Sequence, residues 1–456
     1  MIDLSRATAT DAVTALARGH ISSEALLTAQ LERVEKFNPK LNAVVALDVD
    51  RAMAEARAAD EALKQGRLTG PLHGLPMTIK DLFATKGLLT TSGHVPLADY
   101  APDTDAPAVA AFKAAGAIVF GKTNLSEFGG DIQSYNDIHG LCRNPWNLER
   151  TAGGSSGGSG AALAAGMTLL EFGSDIGGSI RVPCHYNGVF GHKPTWNAVD
   201  RFGEGPRPPV WSHALTDLAV AGPMGRSVAD IRLGLDILTS LSTGGIPGAR
   251  LPSASARAHS AGSLRVAIHV DDPAAPTSEA CRAAVREVGA RLAAAGARVS
   301  EPGLPGPSLT EQNALYRELL NAAMSTAYAA SHQDWKAADE RRHRLRADYG
   351  RFFTDYDVLL APIAPTPAFP HNTEGPMGAR KLKVDGVEVA YLRHLVWAGL
   401  ATLPGLPATA VPVALSDEGL PIGLQVIGPL WGDRTTLAVA GLIETLTGGF
   451  RPPPGY

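Results

Sequence analysis

Cysteine is scarce. Three thiols, Cys142, Cys184 and Cys281, are scattered through 456 residues without CxxC spacing. That excludes a disulfide scaffold and a cysteine zinc site. Cys184 lies near a serine of interest but reads as a buried structural thiol, the usual state of a free cysteine. No run of 18 apolar residues occurs, so no membrane span is expected. The segment MIDLSRATATDAV has no basic stretch followed by an apolar one, so a signal peptide is not expected and the cytoplasm is the expected location. No basic run stands out and the net charge is −4, which disfavours nucleic acid as a direct ligand. The glycine–serine run at 153–160 lacks the GK[ST] ending of a phosphate-binding loop, and HxH and HExxH are absent, so neither such a loop there nor a metal site is expected, and His185 and His192 read as structural histidines.

What is abundant is apolar residues and glycine. Hydrophobic residues make up 45% and charged residues 19%, which suits a sizeable core and not a disordered chain. The spacing predicts a helix over 9–18 capped by Thr8 and Asp11. A second helix begins at Ser22 or Ser23, with Leu27, Leu31 and Val34 on one stripe, and stops at Pro39. Residues 51–65 form an alanine-rich helix ended by Gly66. Met77–Ile79 reads as a buried strand with Lys80 at its end. A helix over 105–115 and a strand over 117–122 then begin a helix–strand alternation that indicates an α/β sheet. A strand at 169–175, an αβ unit over 263–300, a long charged helical stretch over 309–350 and the strands DVLLAP, ATAVPVAL and GLQVIG complete the pattern. Residues 200–215 read as a loop at the mouth of a site, and 243–263 as a Gly/Pro-rich surface connection.

The densest signal lies at 152–181, AGGSSGGSGAALAAGMTLLEFGSDIGGSIR. Two serines preceded by glycine pairs, Ser155 and Ser179, stand 24 residues apart, with Lys80 upstream at the end of LPMTIK. Without Cβ atoms, Gly177 and Gly178 let backbone N–H groups approach a reacting atom, the layout of a nucleophile beside its own oxyanion hole. A flexible Gly/Ser linker is the bland alternative. The apolar residues packed on both sides and the DIGGSIR that follows argue against it. A lysine led inward by a buried strand loses proton affinity and can act as a base.

These residues resemble the amidase signature family, serine hydrolases with a Ser–cisSer–Lys triad. The matching pieces are LPMTIKD, GKTNLSEF, GGSSGGSGAALAAG, GSDIGGSIRVP, GHKPT, DVLLAPIAPTPA and GLPIGLQVIG, in the family's order from about residue 70 to residue 430. The resemblance implies an α/β fold with a large mixed sheet covered by helices on both faces. It also implies a single domain over 1–456, with N-terminal helices over 1–65, a signature core over about 70–235 and a C-terminal part over about 263–456. It makes Ser179 the nucleophile, Ser155 the cis-serine and Lys80 the base. The oxyanion hole would be the N–H groups of Ile176, Gly177, Gly178 and Ser179. Ser156 would serve as a hydrogen-bonding support, Asp175 and Arg181 as a charge pair holding the loop, and Gly129, Gly130 and Asp131 as substrate-binding residues. At 129–130 this chain has Gly-Gly where many members carry an Ala-Met type step, and Ser174 stands where threonine is frequent.

The implied reaction is hydrolysis of an amide, with esters and carbamates presenting the same carbonyl. No metal or cofactor is required, and the partner is a small-molecule substrate of a monomer or homodimer. Two alternatives stand beside it. One is the glutaminase component of a glutamyl-tRNA amidotransferase, releasing ammonia from glutamine within a complex. The other is a non-catalytic binding member of the fold, which the presence of Lys80, Ser155 and Ser179 argues against.

Overall fold

The computed structural model describes residues 2–205, 215–240, 251–324 and 330–456. Of the sequence expectations, residues 206–214 of the mouth loop and 243–250 of the surface connection fall outside the described residues.

The first helix, Ala9–Ala17, opens with a capping box: Thr8 Oγ1 accepts from the Asp11 N–H and the Asp11 carboxylate accepts from the Thr8 N–H, both at 3.0 Å. The second helix, Ser23–Leu41, runs two residues past Pro39 instead of stopping there. In the last turn a proline removes only one ladder bond. The chain leaves the helix at Asn42, in the left-handed region (φ 50°), whose N–H reaches Asn38 O at 2.7 Å. The alanine-rich helix spans Val49–Lys64 and buries Ala52, Ala56, Ala59 and Ala62 along one stripe, small residues that let it lie close to its neighbours.

Two sheets organise the molecule. The smaller has the order Val44–Leu47, Ile118–Thr123, Pro76–Lys80. Its last two strands are parallel, joined through the helix Pro107–Ala114. The larger has eight strands in the order Arg298–Ser300, Arg265–Ile268, Val358–Pro362, Pro421–Ile427, Ala408–Leu415, Phe190–Lys193, Val220–Gly225, Leu170–Asp175. The first three are mutually parallel and the remaining pairings antiparallel, so the sheet is mixed, as expected. Side chains join the two sheets where strand Pro76–Lys80 meets edge strand Leu170–Asp175. The Thr78 N–H donates to Thr168 Oγ1 at 3.2 Å, and the Thr78 hydroxyl donates to the Glu171 carboxylate. Both strands therefore deliver their C-terminal ends, Lys80 and Asp175, to the same place. Sites of α/β sheets characteristically form at such ends.

The largest buried cluster draws on residues from Leu4 to Ile443. A second lies beneath the helices Leu309–Met324, His332–Asp355 and Leu395–Thr402. The helical stretch expected over 309–350 is thus two helices, with 325–329 outside the described residues. Among the described residues, no helix is long and apolar enough to cross a membrane.

Candidate active site

The glycine–serine run is structured. The helix expected to follow it, Gly157–Ala164, begins inside it, and every one of its residues is buried. The glycines are there because backbone passes close by. A methyl on Gly154 would lie 2.5 Å from Gln133 N, and one on Gly158 would run into the Asn124 backbone. Ser134 Oγ bridges the turn, donating to Ser155 O at 3.0 Å and accepting from the Gly157 N–H at 2.9 Å. The Gly154–Ser155 peptide is cis.

Lys80 is fully buried and its Nζ lies 2.6 Å from Ser155 Oγ and 3.0 Å from Ser174 Oγ. Burial pushes the Lys80 ammonium down to about 7, against the opposing pull of Glu204, Asp175 and Glu171. The amine is therefore partly neutral near neutral pH, with two hydroxyls fixing its direction. In the sequence Ser174 stands out only as a departure from threonine. Its contact with Lys80 depends on the meeting of the two strands, which no local pattern reveals.

Ser179 sits in the turn after strand Leu170–Asp175, and Asp175 organises that turn. Its carboxylate accepts from the N–H groups of Gly178 (3.0 Å), Ile180 (3.1 Å) and Arg181 (3.3 Å). It also forms a two-pronged pair with Arg181, Nε at 3.0 Å and Nη2 at 2.8 Å. Both side chains are fully buried. Burial alone would raise the Asp175 carboxyl. The Arg181 guanidinium, Lys193 and the Ile180 N–H outweigh it and hold the group below the usual carboxylate value. Arg181 then reaches Ala398 O, Gln425 Oε1 and Thr402 Oγ1 at 3.1, 2.7 and 2.9 Å.

Gly178 departs from expectation. Its N–H is engaged by Asp175, so it is not an idle donor, because the carboxylate that caps the helix Arg181–Asn187 also closes the turn before it. The N–H groups of Ile176, Gly177 and Ser179 donate to nothing among the described residues. The Ile176 carbonyl is held by the Tyr316 hydroxyl at 2.7 Å, which keeps that peptide oriented. Ser156 departs as well. Its buried hydroxyl has no hydrogen-bond partner among the described residues, and its support comes from the backbone, Ser156 N–H to Ser179 O at 3.2 Å. The hydroxyl lies against Gly173, where a methyl would be 2.9 Å away, and finds no acceptor there.

Gly129 borders Ser155. With φ 74° and a Cβ position 3.1 Å from Ser155 Oγ, a side chain there would press on that hydroxyl. Gly130 is exposed beside it. The Asp131 carboxylate, expected to meet substrate, is already satisfied within the protein. It takes Arg380 Nη1 at 2.6 Å, the Tyr391 hydroxyl at 2.6 Å and the Tyr135 hydroxyl at 3.0 Å. The three partners lie at sequence separations that no motif marks.

His185 bridges Gly423 and Thr366 O, and His192 bridges Thr409 and Asp433. Among the described residues no cluster of metal-ligating side chains occurs. Cys142, Cys184 and Cys281 are buried free thiols.

The same lysine–serine–serine frame lies within matches to known proteins. A family model described as Amidase matches residues 25–330 and 309–437. The A subunit of glutamyl-tRNA(Gln) amidotransferase from Acidothermus cellulolyticus is 32% identical over 97% of this chain and 95% of its own length. An indoleacetamide hydrolase from Bradyrhizobium diazoefficiens is 32% identical over 96% of this chain and 86% of its own. A crystal structure of an amidase superposes with a TM-score of 0.81 at 30% identity, covering 97% of this chain and all of that one.

Proposed function

The chain belongs to the amidase family, and from that premise we propose that it hydrolyses small-molecule amides through an acyl-enzyme on Ser179. Hydrolysis of amides is the family's chemistry. The route and the substrate are our reading. Neutral Lys80 accepts the Ser155 proton, and Ser155 Oγ accepts the Ser179 proton. Ser179 Oγ attacks the carbonyl carbon, and the developing oxyanion is met by the N–H groups of Ile176, Gly177 and Ser179. Ser155 then protonates the departing nitrogen, the C–N bond breaks, and the amine leaves. Water enters along the same relay, adds to the acyl carbon and releases the acid, returning Ser179 to its starting form. The observation that carries this reading is the 2.6 Å contact between a fully buried Lys80 Nζ and Ser155 Oγ. No step needs a metal or organic cofactor.

The substrate class is an amide of modest size, with carbamates and esters in range because each presents the same acyl carbon to Ser179. We read the chain as one catalytic unit over 1–456, acting in the cytoplasm as a monomer or homodimer. A second reading is favoured by the first relative: release of ammonia from glutamine as the glutaminase component of an amidotransferase.

The test is a panel assayed with the purified chain and its Ser179→Ala variant: an anilide, an aliphatic amide, an aryl carbamate, an ester and glutamine. Turnover of an anilide, amide or carbamate that falls about 10⁴-fold or more in the variant supports the free-standing amidase. Glutaminase activity alone, or activity only with an added partner, supports the second reading. A Ser179→Ala variant as active as the parent would remove the proposed nucleophile.

A further inference from the structure

A recess of about 720 Å³ is lined by Val95, Pro96, Leu97, Ala98, Tyr100 and Phe128, with His94 and Asp99 beside them. Two tethers fix it to the catalytic frame. The segment that forms its wall leaves from Asp81, the residue after Lys80. The Asp81 carboxylate accepts from the Thr91 N–H at 3.0 Å, and Asp81 O accepts from the Ser92 N–H at 2.9 Å. Its other wall is Phe128, whose N–H donates to Ser92 O at 2.8 Å and whose neighbour Gly129 abuts Ser155 Oγ. Phe128 holds a left-handed backbone (φ 47°), uncommon for a bulky residue, and its ring packs against His94 at 4.6 Å between centroids. The rim is polar: His94 Nδ1 lies 2.7 Å from Glu127 Oε1, and Asp99 is exposed beside them. In its lining Val95 is 55% exposed. Apolar side chains grouped at the edge of a site mark a surface that something apolar covers.

We propose that this recess receives the apolar part of the departing amine. The inference rests on the acyl-enzyme reading above and deepens it. In that relay Ser155 Oγ hands a proton to the leaving nitrogen, so the amine side of the substrate faces Ser155. The acyl side faces the 176–179 turn, where the carbonyl oxygen is held. Gly129 borders Ser155 Oγ and Phe128, the residue before it, lines the recess, so the recess adjoins the amine side. Aryl and alkyl amines fit such a pocket. Free ammonia leaves it empty.

The test uses the full chain and a series sharing one acyl group, with ammonia, butylamine, aniline and naphthylamine as leaving groups, in the parent, Val95→Asp and Val95→Ile. Val95 is exposed, so neither change threatens the fold. The expected result is a kcat/KM that rises about tenfold or more from the ammonia amide to the aryl amides in the parent. That preference should collapse in Val95→Asp and be kept by Val95→Ile. A parent indifferent to the amine, or a preference unchanged in Val95→Asp, overturns the proposal. So does a Val95→Asp effect on acyl-chain preference in a second series with aniline constant, which would place the recess on the other side. A parent that cleaves none of the series and is not labelled at Ser179 by a fluorophosphonate defeats the acyl-enzyme reading itself, and the pocket with it.

Discussion

Lys80 concentrates the conflict between folding and chemistry in one side chain. Only its neutral form can take a proton from Ser155, so kcat/KM should rise with pH through about 7 with the slope of a single ionisation and level off above it. A pH–rate profile flat between 5 and 9 would contradict a lysine base. The same shift has a stability consequence. A lysine whose folded value lies below its unfolded one costs stability at every pH under about 10.5, and the cost is complete only below about 7. Lys80→Met, close in volume and free of the buried amine, should abolish amide hydrolysis yet raise the thermal midpoint at pH 7, with the gain vanishing towards pH 11. Calorimetry at both pH values checks it. Gly129→Ala would place a methyl 3.1 Å from Ser155 Oγ at a left-handed backbone position. The expected outcome is a fall in kcat larger than any rise in KM, read from steady-state kinetics.

One element, the turn from Asp175 to Arg181, carries the proposed nucleophile, and its rigidity comes from one carboxylate and one guanidinium. Removing half of a buried pair leaves the other charge uncompensated. Asp175→Asn should therefore lower the unfolding free energy by about 3–5 kcal/mol in urea titrations, and Asp175→Asn with Arg181→Met should cost less than the two singles summed. Because the folded Asp175 carboxyl is held below its ordinary value, its contribution is present above pH 4 or so and fades as the solution is acidified through the lowered value.

What the sequence revealed at this scale follows the same division. The strands Pro76–Lys80 and Leu170–Asp175, the capped first helix and the serines were legible because buried strands, capping boxes and glycine-flanked turns are local patterns. Pro39 misled because its effect depends on where in the last turn it falls. Gly178 and Ser156 misled because the partner of a backbone N–H or a hydroxyl is decided by three-dimensional neighbours: Asp175 claims one, and the other, packed against Gly173, has none among the described residues. Ser174, Tyr316 and Arg380 were invisible as site neighbours for the same reason.

Across the whole molecule, buried residues from Leu4 to Ile443 join one cluster, and Arg226, from the middle of the chain, donates to Leu4 O at 2.7 Å and Leu163 O at 2.7 Å. A chain knitted this way should unfold as a unit. Tryptophan fluorescence and far-UV circular dichroism should report coincident denaturant transitions, and two separated transitions would argue for independent units.

The Arg181 fan also orders events in time. Its contacts with Ala398, Thr402 and Gln425 lie more than 200 residues beyond it. During synthesis the proposed triad residues emerge early, but the clamp that holds the turn bearing Ser179 is missing until the strand Pro421–Ile427 has left the ribosome. A C-terminally clipped chain that keeps Lys80, Ser155 and Ser179 should therefore be silent, which an assay of a chain ending before residue 421 checks. On this reading activity should arrive only once the chain is nearly whole.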